Sequence, residues 1–574
     1  MILDTPERIR TYTDAGWWGT DTIDDLFRRA VAAHPDRTAL VDPPNRADLT
    51  IGEPTRWTYA ELSLRVERMA AALARADVGR DDVVMVQLPN IVELPLVYLA
   101  AARIGAMVSP LPVQYRQHEL RHTMGVVEPR VFITTTRFAG HDHVEMVRED
   151  WDGTVISLGE ADGAASLTEI LETPVEASAS ADGGTANDIF TVCWTSGTEA
   201  EPKGVPRSHN QWISIAYATT DGAQLTDGAV MLNPFPMVNM SGIGGMFVPW
   251  LQVAGTLVMH HPLALPVYLA QVGAEKVSYT VAPPVLLNML LANRALLASA
   301  DISSLRVIGS GSAPLSAGMV LGWKEQHGID VLNLFGSNEG IALIGDPRTV
   351  PDPAERAVYF PRFGGRGVPA GNEWGNRAAR GMETLLLDPL TGAAVEEADV
   401  PGELAFRGPT LFPGYYRRPE MTARAFTADG FYRTGDLFAM AGDRADRMRF
   451  VGRARDLIIR GGMKIAPEEL ESLISQHPAV AEVAVVGVAD GRLEGEQRVC
   501  AAVVTRPDPA GGEGARLPLT LAELRRFLTE LGVAAYKMPR SLELVAALPR
   551  NPLGKVLKAE LRAMFSGESV AAGA

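Results

Sequence analysis

The segment from Thr195 to Gly204 combines hydroxyls, glycines and one lysine directly after a predicted buried strand, Ile189–Trp194. Backbone N–H groups and hydroxyls can bond phosphate oxygens, and the ammonium of Lys203 can neutralise their charge. The segment is not a P-loop, because Pro202 stands where that motif has its second glycine and no serine or threonine follows the lysine. The pattern fits either a polyphosphate-binding loop or a solvated strand-to-helix turn.

A second polar segment, Asn333–Gly340, follows a predicted strand at Asp330–Leu332. Phe335, followed by a glycine, would let a planar base lie against its ring and the backbone. The carboxylate of Glu339 is a hard oxygen ligand of the kind that Mg²⁺ combines with substrate phosphates. The alternative interpretation is a helix N-terminus capped by Asn338.

Three further segments place acidic or basic residues in turns. In Asp429–Asp436, an acidic residue held by a glycine turn suits the two hydroxyls of a ribose, although Asp429-Gly430 alone is typical of a plain β-turn. Gly452–Ile465 and Pro549–Lys558 are rich in Arg and Lys. Each of these two could equally be a basic surface turn.

The elements that must position these segments alternate between helices and strands. A helix at Thr58–Ala76, a strand at Asp82–Leu88 and a helix at Val92–Ile104 predict parallel βαβ units. From Gly402 the pattern changes to turn-rich β structure, and the last section predicts a compact α+β unit. The other predicted elements are the strands Ala106–Pro110, Val277–Val281, Leu305–Gly309, Ala481–Val488 and Leu542–Val545, and the helices Pro284–Leu297, Glu468–Gln476 and Leu521–Leu531.

The composition excludes several classes of protein. With 574 residues and 47% hydrophobic residues, the chain is globular rather than disordered or fibrous. Its net charge of −16 gives no general electrostatic reason to bind nucleic acid or an anionic membrane. The two cysteines, Cys193 and Cys500, exclude a disulfide scaffold and a zinc-ribbon array and suit the reducing cytosol, so we predict a cytoplasmic protein.

One stretch, residues 228–274, contains no Asp, Glu, Lys or Arg. A membrane helix near Met240–Met259 would have to satisfy all its backbone groups internally, and the prolines and glycines of this stretch work against that. We predict instead short buried elements at the centre of an α/β domain and no integral membrane segment. The N-terminus also lacks the basic and apolar regions of a signal peptide.

Together and in this order, the five segments resemble the core motifs of the adenylate-forming (AMP-binding) superfamily. Its members include acyl-CoA synthetases, stand-alone aryl-acid ligases of the 2,3-dihydroxybenzoate-AMP type, peptide-synthetase adenylation domains and luciferases. The resemblance extends from about Trp57 to Lys558, and Leu88-Pro89-Asn90 and Gly16-Trp17-Trp18 are most similar to the aryl-acid and cyclic-acid branch.

The resemblance implies a fold and an architecture. The fold is α/β, with a large multi-sheet N-terminal domain at residues 1–454, built of mostly parallel sheets plus a β-barrel-like subdomain. A small mobile α+β C-terminal domain at residues 455–574 would carry the catalytic lysine and the thiol-step loop.

The resemblance also implies roles for individual residues. The catalytic residues would be Lys555, Glu339 and Thr198, with Glu339 as the Mg²⁺ ligand. The ATP/AMP-binding residues would be Thr195, Ser196, Gly197, Thr198, Lys203, Asn333, Phe335, Gly336, Ser337, Asn338, Asp436 and Arg453. The acid pocket would contain Asn239, Met240, Ser241, Gly242, Gly309, Gly311, Gly340 and Ile341, the thiol-step loop Gly461, Gly462 and Lys464, and the hinge Arg455.

The implied activity is the ATP-dependent conversion of a carboxylic acid to an acyl-adenylate with release of pyrophosphate, followed by thioester formation. The cofactors would be ATP, Mg²⁺ and CoA, or the phosphopantetheine of a carrier protein. An acid–CoA ligase is the leading interpretation, a stand-alone enzyme loading an acyl or aryl carrier protein the second, and a non-catalytic nucleotide-binding relative the third. The predicted partners are a small-molecule carboxylic acid and, in the second case, the carrier protein, with the enzyme a monomer or homodimer.

Several positions depart from the family pattern. Glu199-Ala200 stands where Thr-Gly is usual in the phosphate loop, which stiffens it and adds negative charge. Asn338 replaces the usual Thr, Asn239 the usual His, and Arg455 the usual Asp or Lys. The acid-pocket positions carry no fixed charge, which favours an uncharged aromatic, alicyclic or medium-chain acid over an amino acid.

Other conspicuous residues point to structural roles. His141-Asp142-His143 lacks a third spaced ligand, so we do not predict a metal site there. Cys193 lies on a predicted buried strand and should be part of the core. His209, just beyond the phosphate loop, could contact a ligand or simply pack.

Overall fold

A computed structural model describes residues 1–175, 183–195, 202–365, 375–442, 445–460, 463–489, 497–508, 516–550 and 556–566, the side chains of residues 459, 463 and 464 excepted. The strands in these ranges are β1 Thr38–Val41, β2 Arg56–Thr58, β3 Val83–Gln87, β4 Met107–Pro110, β5 Val131–Thr135, β6 Arg137–Phe138, β7 His141–Asp142, β8 Thr154–Leu158, β9 Ala165–Ser166, β10 Ile189–Trp194, β11 Gly204–Ser208, β12 Val230–Asn233, β13 Thr256–Met259, β14 Tyr279–Val281, β15 Val307–Gly311, β16 Asp330–Gly336, β17 Ala342–Gly345, β18 Tyr359–Pro361, β19 Glu383–Leu387, β20 Gly402–Arg407, β21 Tyr432–Ala441, β22 Arg447–Arg453, β23 Ile458–Arg460, β24 Met463–Ile465, β25 Val480–Ala489, β26 Gln497–Thr505 and β27 Ser541–Leu544.

The α-helices are α1 Pro6–Asp14, α2 Ile23–Ala33, α3 Tyr59–Arg75, α4 Glu93–Arg103, α5 Gln117–Val127, α6 His143–Arg148, α7 Leu167–Glu172, α8 His209–Gly222, α9 Met240–Gly242, α10 Val248–Gln252, α11 Leu265–Ala274, α12 Pro284–Ala292, α13 Arg294–Ala298, α14 Ala317–His327, α15 Pro353–Arg356, α16 Pro419–Ala425, α17 Pro467–Ile474, α18 Leu521–Glu530 and α19 Lys558–Ser566. A π-helical turn, Ile243–Phe247, joins α9 to α10.

The chain divides into two compact units. The first comprises residues 1–384, 406–432 and 442–448, and the second residues 385–405, 433–441 and 449–574. The boundary that we predict after residue 454 stays a prediction.

Two large sheets, both mostly parallel, form the first unit. The eight-stranded sheet has the order β17-β16-β15-β14-β12-β13-β1-β2, and the seven-stranded sheet the order β11-β10-β4-β3-β5-β8-β9. Antiparallel pairs occur at their ends, at β16/β17, β1/β2 and β10/β11. The parallel units predicted from the alternating helices and strands are therefore present.

The burial pattern of these elements explains the layering. Every residue of β3 and of α4 is buried, as expected for strands and helices at the centre of an α/β domain. α3 begins at a capping box in which the Thr58 hydroxyl and the Glu61 carboxylate each accept a backbone N–H bond. One continuous apolar core contains residues from both sheets, including Val86, Phe190 and Leu332.

The uncharged stretch forms short buried elements, as predicted. It contains β12, α9, α10, β13 and α11, and Trp250 and Phe247 are fully buried within it. Among the described residues, no helix combines the length and the apolar character that crossing a membrane requires.

Several sequence predictions are wrong in detail. The helix predicted over Pro284–Leu297 breaks into α12 and α13, because the Asn293 side chain accepts the N–H bond of Leu296 and starts a second helix. The strand predicted to end at Leu332 continues as β16 to Gly336. No helix begins at Asn338, which lies in a turn, and β10 leads through the phosphate loop into the antiparallel strand β11 rather than into a helix.

The predicted β-barrel-like subdomain is an open sheet in the described ranges. Its five strands have the order β18-β22-β21-β20-β19, so β18 and β19 are edge strands. The turn predicted at Asp429-Gly430 is present, and the Gly430 amide donates to the carbonyl oxygen of Thr427 at 3.0 Å.

The second unit contains the predicted α+β fold. β25 and β26 pair antiparallel over most of their length, and β27 adds parallel to β26. α17 and α18 cover one apolar core with Leu470 and Leu528, whereas Leu561 of α19 belongs to a second core that includes Cys500.

His209 is a buried structural residue. Its Nδ1 accepts the N–H bond of Ile23 at 3.1 Å, and its ring stacks on Phe190 with 5.0 Å between centroids. Burial lowers the pKa of His209 to about 4. The first residue of α8 therefore fixes the start of α2.

This pKa predicts an acid sensitivity of the fold. Because the folded pKa lies below the ordinary value of 6.5, the unfolded chain takes up the proton first, and stability falls as the pH drops below about 6.5. We expect His209→Asn, whose Oδ1 can still accept the Ile23 N–H, to remove about 2 kcal/mol of the loss in unfolding free energy between pH 7 and pH 5. Urea unfolding at pH 7 and at pH 5 measures this loss of unfolding free energy, with His34→Asn as the control. If the loss in His209→Asn equals that of the unaltered protein, the prediction is wrong.

Candidate active site

Two hydrogen bonds close the base of the predicted phosphate loop. The Thr195 amide donates to the carbonyl oxygen of Lys203 at 3.0 Å, and the Lys203 amide donates to the Thr195 hydroxyl at 3.2 Å. Thr195 directly follows β10, and Lys203 directly precedes β11. Ser196, Gly197 and Thr198 lie outside the described residues.

The predicted adenine-binding residues Asn333 and Phe335 lie in the second half of strand β16. The Nδ2 of Asn333 donates to the carbonyl oxygen of Ala357 at 3.1 Å, so the protein itself uses one of its two N–H groups. The ring of Phe335 stands edge-on to Phe360, with 6.2 Å between centroids. A Cβ at Gly336 would come within 3.0 Å of the Ile341 carbonyl oxygen, which also accepts the N–H bond of Ser337.

The turn at Asn338, Glu339 and Gly340 is fixed by its backbone and its side chains. The Asn338 Nδ2 donates to the Trp194 carbonyl oxygen at 3.1 Å, and its Oδ1 accepts the Met240 amide at 2.8 Å. Gly340 has φ +122°, and a Cβ there would lie 2.1 Å from the Thr410 carbonyl oxygen. The turn therefore requires glycine at this position.

Glu339 is buried, with 8% of the residue exposed, and its carboxylate accepts a hydrogen bond from one tyrosine. The Tyr415 hydroxyl donates to its Oε1 at 3.2 Å and also lies 3.2 Å from the Tyr432 hydroxyl. The Nζ of Lys203 lies 5.3 Å from the centroid of the Tyr415 ring. Tyr415 thus places the base of the phosphate loop and the predicted Mg²⁺ ligand beside each other.

The glycines of the predicted acid pocket meet protein atoms closely. A Cβ at Gly242 would lie 2.5 Å from the Pro236 carbonyl oxygen, and one at Gly311 only 2.2 Å from that of Leu334. At Gly309 it would meet the Leu334 side chain at 2.7 Å. These contacts explain the three glycines by close packing, and their place in an acid pocket stays a prediction.

The remaining acid-pocket positions lie near the turn of Asn338. The Asn239 Oδ1 accepts the amides of Ser241 and Gly242 at 3.0 and 3.4 Å and so caps the short helix α9. Met240 lies against the turn, since a Cβ at Gly336 would be 3.5 Å from its Cγ. Ile341 is fully buried.

The two predicted ribose ligands are together in the second unit. The Arg453 Nε lies 3.2 Å from the Asp436 Oδ1, and the two residues belong to the adjacent strands β22 and β21. The Asp436 amide donates to the Thr434 hydroxyl at 3.1 Å, which fixes the strand at this point.

The predicted hinge lies in a short 3-10 helix, Ala454–Asp456, that contains Arg455. Its neighbour Asp456 pairs with Arg562 of α19 at 2.5 Å, and this contact contributes to lowering the pKa of Asp456, although burial acts against it. Lys464 lies on β24, with its side chain outside the described part. Gly461, Gly462 and Lys555 are not among the described residues.

Comparison with known proteins assigns the family. The model of the AMP-binding enzyme family matches residues 27–416, and the model of its C-terminal domain matches residues 469–555. The chain belongs to the AMP-binding enzyme family. Enzymes of this family use ATP.

Curated relatives match over nearly the whole length. Pyochelin synthase PchD of Pseudomonas aeruginosa is 31% identical over 96% of this chain and 94% of its own, and 2,3-dihydroxybenzoate-AMP ligase of Bacillus subtilis is 31% identical over 98% and 97%. Medium-chain fatty-acid–CoA ligase of Escherichia coli is 28% identical over 97% and 92%. The chain is an adenylate-forming acid ligase.

Solved structures agree with this assignment. ATP-bound MatB from Rhodopseudomonas palustris is 27% identical, with a TM-score of 0.77 over 95% of this chain and 99% of its own. The anthranilate–CoA ligase AuaEII in complex with anthranoyl-AMP, at 24% identity and a TM-score of 0.78 over 96% and 98%, shares the fold.

Sequence analysis of the ligase missed two residues beside the candidate site. The sequence around Tyr415 indicates only turn-rich β structure, and the sequence around Arg207 predicts no role in the site. Arg207 is fully buried: its Nη1 donates to the Asn338 carbonyl oxygen at 2.9 Å, and its guanidinium lies 4.6 Å from the centroid of the Trp212 ring. Burial lowers its pKa to about 9. An arginine between Pro206 and Ser208 in a strand was the available signal.

The geometry of Gly340 yields a test of the turn. In Gly340→Ala, the added methyl group would overlap the Thr410 carbonyl oxygen and strain the positive φ, so we expect the free energy of unfolding to fall by roughly 2–4 kcal/mol. Acyl-adenylate formation should fall at least about tenfold, because the turn carries Glu339. Thermal melting and pyrophosphate exchange measure the two effects.

The matched control is Gly318→Ala. Gly318 lies in α14, and among the described residues no atom outside its chain neighbours and the helix backbone would come within 4 Å of a Cβ there, so alanine should leave activity unchanged and stabilise the protein slightly. Equal behaviour of the two variants would show that the turn does not need glycine at residue 340.

Proposed function

We propose that this ligase condenses an uncharged hydrophobic carboxylic acid with ATP and then transfers the acyl group to the thiol of CoA. The observation that carries the proposal is the turn at Asn338–Gly340. It supports a buried carboxylate on Glu339 and contacts both the base of the phosphate loop and the acid-pocket residue Met240. The turn can therefore align a polyphosphate with a carboxylic acid.

In the first half-reaction, a carboxylate oxygen attacks the α-phosphorus of ATP, and the bond to the β-phosphate oxygen breaks. Both reactants are anions, so charge neutralisation dominates the barrier. Lys555 would bridge the carboxylate and the α-phosphate, and Lys203 would lie along the β- and γ-phosphates. The products are the acyl-adenylate and pyrophosphate.

Glu339 is suited to holding Mg²⁺. One carboxylate together with substrate phosphates is a usual ligand set for this ion, and the Tyr415 hydroxyl holds the carboxylate through its Oε1. When bound, Mg²⁺ supplies positive charge at the phosphates. Asp436 and Arg453 would hold the ribose, and Phe335 with the second N–H of Asn333 the adenine.

In the second half-reaction, the thiol sulfur attacks the acyl carbon, and AMP leaves. We propose that the small domain, residues 455–574, turns about Arg455 between the two steps. This would withdraw Lys555 and bring Gly461, Gly462 and Lys464 to the thiol channel.

The charge of the side chains in the predicted acid pocket indicates which acids the enzyme accepts. No acid-pocket position carries a fixed charge, so an amino acid would leave its ammonium unpaired at a cost of several kcal/mol. Aromatic, alicyclic and medium-chain acids remain. The 2,3-dihydroxybenzoate-AMP ligase and the medium-chain fatty-acid–CoA ligase among the relatives support this range.

A carrier protein is the second candidate acceptor. In its favour, the 2,3-dihydroxybenzoate-AMP ligase, which is named for an AMP product rather than for a CoA thioester, is 31% identical to this chain, whereas the fatty-acid–CoA ligase is 28% identical. We propose a cytoplasmic enzyme, monomeric or homodimeric, with no nucleic-acid partner.

One incubation tests the function. ATP, Mg²⁺ and a pool of benzoate, salicylate, 2,3-dihydroxybenzoate, cyclohexanecarboxylate and octanoate are supplied with and without CoA, and products are read by mass spectrometry. An acyl-CoA with AMP supports the proposal. An acyl-adenylate without acyl-CoA favours the carrier protein, and no ATP turnover contradicts the proposal.

Lys555→Ala separates the two half-reactions. We expect pyrophosphate exchange to fall by about 10²–10³-fold, because the developing charge loses its cation, whereas thioester formation from supplied acyl-AMP should change less than about threefold. Lys324→Ala, a surface lysine paired with Asp330, is the control. Equal losses in both half-reactions would refute this role of Lys555.

Glu339→Gln tests the metal site. The amide preserves size and can still accept the Tyr415 hydroxyl bond, but it is a weaker ligand for Mg²⁺. The Mg²⁺ concentration for half-maximal pyrophosphate exchange should rise at least about tenfold. Glu275→Gln, at a surface pair with Arg56, should leave it unchanged, and a wild-type Mg²⁺ dependence in Glu339→Gln would argue against the site.

A further inference from the structure

The side chain of Asn338 joins segments that are far apart in the sequence. Its Nδ2 donates to the carbonyl oxygen of Trp194, the last residue before the phosphate loop, and its Oδ1 accepts the amide of Met240, the first residue of α9. The partners are 144 and 98 residues away. Both are main-chain atoms, so the contacts depend on backbone position alone.

The main chain of Asn338 is fixed independently. Arg207, fully buried on β11, donates from Nη1 to its carbonyl oxygen at 2.9 Å. On the next residue, the Glu339 carbonyl oxygen accepts the Phe412 amide at 2.8 Å. Two hydrogen bonds therefore support the main chain that carries the carboxamide, and the carboxamide links two other segments to the turn that contains Glu339.

The number of hydrogen-bond donors on a carboxamide explains why residue 338 is asparagine. A carboxamide has two N–H groups and one acceptor oxygen, whereas a threonine hydroxyl has a single O–H. Among the described residues, Trp194 takes one N–H and Met240 uses the oxygen. The second N–H stays available for an α-phosphate oxygen, which a threonine donating to Trp194 could not serve.

We propose that Asn338 is a positioning residue that holds the base of the phosphate loop and the acid segment in register with the Mg²⁺ turn. The inference rests on the proposed function for the identity of the two sites. The hydrogen bonds of Asn338 to Trp194 and Met240 are present in the protein without substrates. Its loss should loosen each segment separately, according to which half of the carboxamide is removed.

Two variants remove the halves in different combinations. Asn338→Asp keeps an oxygen for the Met240 amide but sets a carboxylate against the Trp194 carbonyl oxygen, and Asn338→Leu, of similar size, removes both bonds. In substrate-free protein we expect hydrogen exchange at the Thr195 amide to quicken at least fivefold in both variants. Exchange at the Met240 amide should quicken at least fivefold only in the leucine variant.

Steady-state kinetics supply the second readout. They are measured with whichever of the five acids in the pool the enzyme converts fastest. The KM for ATP should rise at least fivefold in both variants, whereas the KM for the acid should rise at least fivefold in Asn338→Leu and stay within twofold in Asn338→Asp. A purely structural defect would move both constants together in each variant.

Asn376→Asp is the matched control. Asn376 is also buried, donates from Nδ2 to the Ala218 carbonyl oxygen at 3.2 Å and accepts the Ala378 amide at 3.0 Å. Its variant should leave exchange at Thr195 and Met240 unchanged. Unchanged exchange in both Asn338 variants, or an equal rise at Met240 in both, would overturn the inference, whatever acid the enzyme uses. Failure of every pool acid would instead count against the proposed function.

Discussion

A carboxylate can be buried at Glu339 only if something compensates for the water that it loses. The Tyr415 hydroxyl does so by donating a hydrogen bond to the carboxylate. The hydroxyl of Tyr432 adjoins the same group, and burial together with the nearby Glu339 raises its pKa well above the ordinary value, so it remains a neutral donor. In the proposed polyphosphate site, the carboxylate of Glu339 is suited to bind a cation that also contacts the phosphates.

The turn that carries this carboxylate also joins the two large sheets of the first unit. Trp194 ends a strand of the seven-stranded sheet, and Asn338 follows a strand of the eight-stranded sheet. Loops at the ends of parallel strands are the usual place for binding sites in α/β folds, because the sheet holds them rigidly. Here the carboxamide of Asn338 connects the loops of two such sheets. The buried guanidinium of Arg207 donates a hydrogen bond to the main-chain carbonyl oxygen of the same residue.

The sequence predicted the elements with strong periodicity and missed what depends on distant contacts. Helix Tyr59–Arg75 and strand Val83–Gln87 lie within the predicted ranges, because their apolar spacing and the capping residues are local signals. The break at Asn293 was hidden by continuous apolar residues on both sides. The role of Tyr415 could not be predicted, because its partner Glu339 is 76 residues away. The sequence around either residue contains no signal that indicates the contact.

The bonds of Asn338 to main-chain atoms have a consequence for how such an enzyme can diversify. The bonds to Trp194 and Met240 do not depend on the side chains of these residues, so a substitution of Met240 that keeps its main chain in place would leave the link to the turn intact. The limit is steric: a Cβ at Gly244 would lie 2.7 Å from the Met240 Sδ and one at Gly336 3.5 Å from its Cγ, so Met240 already fills the space beside these glycines. Under the proposed function, the acid preference of such an enzyme can change in small steps at Met240 while the main-chain link to the phosphate loop is kept.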